Sequence, residues 1–143
     1  KSVAEKTKIS ERLDENIGAV EYDGLIVNNV PVADVFSVTI RKETAATVLK
    51  RGTVLALSGS GTAADGCMVI LGTTAASNEV LSANCVLADD VEVGTNANVT
   101  ALAYRTGHFA RNKLIVKNGY TMTATDEEEL RKGGILLSDA IEY

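Results

Sequence analysis

The stretch from Cys85 to Ser138 limits the possible folds of this chain more than any other part of it. Two β-prone runs, CVLADDVEV and VTALAYRTGHF, precede NKLIVKNGYTMTATDEEELRKGGILLS, where a Gly-Tyr turn leads into one short acidic helix and a last apolar run. The helix carries its own punctuation. Thr125 is predicted as its cap with Glu128 as the capping-box partner, and Asp126 to Glu129 put negative charge at the positive end of the macrodipole. Arg131 and Lys132 occupy the other end, and Gly133-Gly134 supplies a left-handed stop. A helix of about seven residues cannot stand alone in water. Leu130 must therefore be pinned by the body of the domain, with Ile135-Leu136-Leu137 returning as a strand.

Outside that helix the chain reads as short strands and turns. Val35 to Ile40 alternates Phe36, Val38 and Ile40 against Val35, Ser37 and Thr39, the pattern of a half-buried strand. Val48 to Leu57 is two β-prone runs broken by a basic turn at Lys50-Arg51-Gly52. A flexible loop, Ser58 to Thr62, is expected before an apolar strand at Cys67 to Leu71. Val80 to Val93 is a further strand region with a turn beside Asp89-Asp90. Gly94 to Asn98 then turns the chain into Val99 to Tyr104, and two antiparallel strands are expected around this turn. With two Phe, four Tyr and no Trp, the core must be built from Val, Leu, Ile and Ala. The expected fold is a mainly β (α+β) domain with a short C-terminal helix. At 143 residues one such core suffices.

The beginning of the chain reads differently. Ile9, Leu13 and Ile17 fall four apart, which fits either one thin helical stripe or an arm that orders on a partner. After them come turn signals at Tyr22-Asp23-Gly24 and Asn28-Asn29, with short extended apolar runs around them and Pro31 suited to an edge. Residues 1–33 are thus expected as an N-terminal arm and residues 34–143 as the core domain. The first residue is Lys rather than Met, so either residues precede it or the chain has been cut.

Composition excludes several function classes. The formal net charge is -5, and no basic run exceeds two residues, so nucleic acid is not an expected partner. No stretch reaches the roughly 20 apolar residues of a spanning helix, and the polar start KSVAEKTKISERLDEN does not read as a signal peptide. A membrane partner is not expected, and the reading is of a cytoplasmically made protein whose Cys67 and Cys85 are buried thiols. The two cysteines lack zinc spacing, and no metal or cofactor is expected. His108 is the one histidine and reads as a turn-exposed, partly packed imidazole. Asp126 to Glu129 reads as capping and solvation, and Asp89-Asp90 as a turn. No catalytic residue is assigned.

The order of the Cys85 to Ser138 elements resembles the lambda-type head decoration proteins of tailed bacteriophages. There an apolar G/C-[IV]-L-A strand, here Cys85-Val86-Leu87-Ala88, precedes an aromatic-basic-x-Gly-x-Phe hairpin, here Tyr104 to Phe109, and then a helix-plus-strand unit. Arg51-Gly52-Thr53-Val54-Leu55 is similar to the basic-Gly-x-[VI]-L element of longer members. The likeness spans roughly the last two thirds of the chain. It departs where Ile115 to Gly119 replace a Trp-Pro pair, and where about 45 residues precede the shared core. The resemblance implies a β-clip-like domain that sits as a homotrimer on the outer capsid surface of the virion and binds the major capsid protein.

Within that frame, Tyr22, Leu25, Ile26, Val27, Val30 and Val32 are the candidate capsid-binding residues, adding a strand to capsid-protein edges. The competing reading is that these side chains pack on their own domain. A small β-fold enzyme or ligand-binding module remains the alternative function, and it requires a concave pocket near His108, Asp89 or Cys85.

Overall fold

The computed structural model describes residues 23–139. Nine strands run in chain order: β1 (Ile26–Asn28), β2 (Asp34–Ile40), β3 (Thr47–Leu49), β4 (Val54–Ser60), β5 (Met68–Ile70), β6 (Val80–Leu87), β7 (Val91–Val93), β8 (Val99–Ala110) and β9 (Ile135–Ser138). Among the described residues a single α-helix, α1 (Ala124–Gly133), precedes β9. The mainly β class with one short C-terminal helix is therefore as expected.

β8 organises the sheet. Its first half runs antiparallel to β2, from Thr106 opposite Asp34 to Val99 opposite Ile40. On its other side, Tyr104 and Ala103 pair with Val86 and Leu87 of β6. Since β2 continues through β5 and β4 to β6, these contacts close the sheet on itself as a small barrel. The last residues of β8 leave the barrel and lie between β1, antiparallel, and β9, parallel. Beside the barrel stands a separate ribbon of β3 and β7.

The alternation expected in β2 holds, with Val38 and Ile40 buried and Ser37 and Thr39 exposed. β4 is buried on both faces from Val54 to Ala56. One face meets the barrel core. The edge at Val54 is satisfied from outside the strand pairs, because Val54 N–H donates to Ile115 O at 2.8 Å and Leu71 N–H donates to Val54 O at 2.9 Å. The core is almost wholly aliphatic, with Leu25, Ile40, Leu55, Leu87, Leu130 and Ile135 fully buried around the single deep aromatic Phe109.

Several local expectations need correction. Ser58 to Ser60 is not loop but the end of β4, and Ser58 is fully buried, because its hydroxyl donates to Glu79 at 2.5 Å. The Tyr104 to Phe109 motif is not a hairpin but one continuous strand, so His108 is not on a turn. The strands flanking Gly94 to Asn98 do not pair with each other: β7 turns away to β3, and β8 takes β2 and β6 instead. The helix starts earlier than predicted. Thr123 is the cap, its hydroxyl accepting from Asp126 N–H while Asp126 accepts from Thr123 N–H. Asp126 accepts from the cap backbone while Glu128 is held by Arg131, so the reciprocal pair forms two residues upstream. Gly134 closes the helix in the left-handed region as expected, and Leu130 is its one buried side chain.

The N-terminal boundary also moves. Leu25 and Ile26 are core residues, β1 pairs with β8, and Ala110 N–H donates to Leu25 O at 2.7 Å. Residues 25–28 thus belong to the domain rather than to an arm ending at 33. An apolar pair as large as Leu-Ile is covered where the chain offers a groove, and Leu25 finds one beside the Gly52 turn, where a Cβ would sit 3.7 Å from its methyl.

Two predictions follow from this packing. Phe109→Ala should cost about 3–5 kcal/mol in urea unfolding, since the deepest aromatic leaves a cavity that the short strands cannot collapse. Thr123→Ala should cost about 1 kcal/mol, whereas Thr125→Ala, exposed and outside the cap, should stay within about 0.5 kcal/mol.

Candidate functional site

The strand between Tyr104 and Phe109 separates two chemistries. Tyr104 and Phe109 are buried with ring centroids 5.3 Å apart. Gly107 makes room for this: its φ is +152°, and a Cβ there would stand 2.6 Å from the Phe109 ring. The polar members, Arg105, Thr106 and His108, face outward. They reach the connection between β1 and β2 and the strand residues at its two ends. Arg105 Nε donates to Asp34 at 2.8 Å, Thr106 Oγ1 donates to Val32 O at 2.8 Å, and His108 Nδ1 lies 3.2 Å from Asn28 Oδ1.

That joining segment is the least covered apolar part of the described chain. From Gly24 to Ala33 no residue is charged. Val30 is 75% exposed and Val32 67%, with Val27 at 41% and Val35 at 43%. Of the expected capsid-binding residues, Val27, Val30 and Val32 are therefore exposed, all within one short segment, the valine ridge. Leu25 and Ile26 face the core and cannot lend their side chains to a partner, which is the outcome of the competing reading for those two. Tyr22 lies outside the described residues.

The root of the ridge is anchored by Arg51, the basic residue of the Arg51-Gly52 element. Its side chain is 13% exposed. Nε donates to Asp23 at 2.7 Å, Nη1 donates to Tyr104 Oη at 2.5 Å, and the guanidinium stands 5.5 Å from the Tyr104 ring centroid. Asp23 in turn accepts from Leu25 N–H at 3.2 Å, opening the turn that leads into β1. Asp90 accepts from Arg51 N–H at 2.7 Å, so the Asp89-Asp90 pair serves the turn as expected.

A second polar cluster lies on the barrel. Arg41 is shared between Asp65, at 2.9 Å, and Glu79, at 2.6 Å, and Glu79 also accepts from Ser58 and from Ala76 N–H. The Ser58 hydroxyl, with the Ala76 amide and the Arg41 guanidinium, holds the Glu79 carboxyl down at about 2 from an ordinary 4.5. Arg41 does the same to Asp65, from 3.8 to about 2. The cluster ties β2, β4 and the β5 and β6 approaches together and offers no vacant ligand position.

One concavity touches the motif. A groove of about 530 Å³ between α1 and β9 is lined by His108, Arg111, Glu127, Arg131, Leu136 and Ser138 among others. His108 Nε2 lies 3.0 Å from Ser138 Oγ there. The guanidiniums in the groove are committed, Arg111 to Glu127 and Asp139, and Arg131 to Glu128. Cys85 is fully buried on β6, where burial pushes its thiol up to about 12, and Asp89 stands on the exposed β6–β7 turn. The three residues expected around an enzyme pocket are thus not brought together. Among the described residues no group of His, Cys, Asp and Glu could hold a metal ion, and no helix is long and apolar enough to cross a membrane.

Sequence reading found the ridge by its apolar runs but not what holds it. The motif has the composition of a hairpin, and the signal in it for one strand is the placement of two aromatics around a glycine. The chain matches no family model and no curated protein.

The barrel cluster generates a pH prediction. Both carboxyls have folded values below their unfolded ones, so their contribution is complete above about 4.5 and is lost as pH falls toward about 2. Acid unfolding should steepen across that window. Glu79→Gln should flatten the pH dependence there while lowering stability at pH 7, measured by urea midpoints at several pH values.

Proposed function

We propose that this protein is a capsid decoration protein: it binds the outer surface of an expanded phage head through the valine ridge, assembles there as a trimer, and stabilises the shell. The observation that carries the reading is the uncharged segment with Val27, Val30 and Val32 exposed beside a closed barrel. A surface of this kind is apolar enough to be a docking core, and its extended backbone can pair with a strand of a partner. The ordered resemblance of the Cys85 to Ser138 elements supports the same class.

The energetic logic is linkage. A protein that binds the assembled shell and not its dissociated subunits stabilises it by RT ln(1 + [L]/Kd), about 4 kcal/mol per site at a thousandfold excess over Kd. Repeated over a lattice, modest sites become a clamp. The ridge supplies only the core of such a contact, since a stable interface buries on the order of 1,000 Å² or more.

A hydrolase is the second reading, and the 3.0 Å contact between His108 and Ser138 is what favours it. Against it, the partner of the other ring nitrogen is the side-chain oxygen of Asn28 rather than a carboxylate, and that oxygen also accepts from Val30 N–H at 2.9 Å. A base oriented in this way gains little stabilisation of its imidazolium. With p-nitrophenyl acetate as probe, the parent and Ser138→Ala should hydrolyse at the same rate. A Ser138-dependent rate would favour the hydrolase.

The decoration reading is tested by co-sedimentation with unexpanded and expanded empty heads. Expanded heads alone should bind saturably and melt higher. Val30→Ser with Val32→Ser should weaken binding about a hundredfold, from about 1.5 kcal/mol per buried valine. A chain lacking residues 1–22 should remain folded, whereas one lacking 1–33 should not, because the latter loses Leu25, Ile26 and β1.

A further inference from the structure

We infer that Arg105, Thr106 and His108 are positioning residues: they form a clamp that fixes the valine ridge in its docking shape before any partner arrives. This rests on the docking reading above and goes beyond it by naming what makes the ridge a site rather than a loose loop.

β8 is irregular here: its register against β2 shifts between Asp34 and Val35, leaving Arg105 as the extra residue opposite them, so strict alternation breaks between Tyr104 and Thr106. The ring of Phe109 packs into the core over Gly107, and the polar side chains of the same stretch point the other way. There they meet the ridge at three successive places, Asp34, Val32 O and Asn28. Asn28 passes the restraint on, because its side-chain oxygen accepts from Val30 N–H. His108 is itself held from the far side by Ser138 of β9. The ridge is thereby fixed from Asn28 to Asp34 by one strand of the barrel.

Val30 and Val32 make no comparable hold of their own, since both side chains are mostly in solvent. Exposed apolar residues on a free loop would pay the full cost of ordering when they dock. Those on a clamped loop have already been ordered by folding, and more of their burial appears as affinity. A backbone that must present a fixed register to a partner strand has the same requirement.

The test uses Asn28→Ala with Thr106→Val, which removes the Asn28 and Val32 restraints while leaving every core residue in place. The probe is binding of the full chain to expanded empty heads. The expected result is an affinity about tenfold below the parent with a thermal midpoint close to it. On the Val30→Ser, Val32→Ser background the same pair of changes should cause no further loss, a coupling that a merely structural role would not produce. If the clamp variant binds like the parent while the valine variant does not, the clamp is overturned and the docking reading stands. If the valine variant also binds like the parent, the docking reading fails and takes the clamp with it. Equal losses on both backgrounds would likewise overturn the clamp, since the changes would then act elsewhere than through the ridge.

Discussion

Everything in this domain depends on the hydrogen bonding of β8. Twelve consecutive residues change partners along their length, from β2 on one side to β6 on the other, and then to β1 and β9. A strand that long in so small a domain satisfies its backbone groups only by recruiting several short strands. The bond to β6 closes the barrel and removes its edges. The bonds beyond it draw in both ends of the described chain.

The same strand also divides the chemistry of the molecule. Buried Tyr104 and Phe109 lock β8 to the core, and Arg51 reaches Tyr104 from the neighbouring turn while holding Asp23. Charge is kept out of the interior except where it is fully engaged, as in the Arg41 cluster with Glu79. The consequence is a closed barrel whose two most exposed large apolar side chains among the described residues, Val30 and Val32, lie on one short segment. For a protein proposed to bind a shell, rigidity behind the contact matters as much as the contact, because each ordered residue lowers the entropic cost of docking.

Some of this was legible in the residues. Periodicity located β2, apolar runs located β5 and the main body of β6, and the run from Thr123 to Gly134 contained enough capping chemistry to announce a helix, though it placed the cap at Thr125 instead of Thr123. The two threonines, separated by Ala124, offer nearly equivalent local signals, and the Asp126 carboxylate pairs with the first while Glu128 pairs with Arg131. Ser58-Gly59-Ser60-Gly61 has the composition of a loop. It is partly strand because Ser58 is sheltered by Glu79, which lies 21 positions further along the chain. The ridge was visible as apolar runs, but which of its residues face inward was not.

The sequence by itself determined the elements: short β-branched runs too apolar to stay in water, turns where glycine and aspartate permit them, and a helix too short to survive unaided. It also set a net charge of -5 with no basic run longer than two residues. Only the tertiary structure decided which strands meet, because pairing is a contest among distant segments of similar propensity, settled by joint burial. That contest took Leu25 and Ile26 into the core and left Val27, Val30 and Val32 outside. Their local patterns are alike, and the difference arises because β1 pairs with β8 with Ile26 turned to the core and Val27 away from it, while Val30 and Val32 follow the strand without cover.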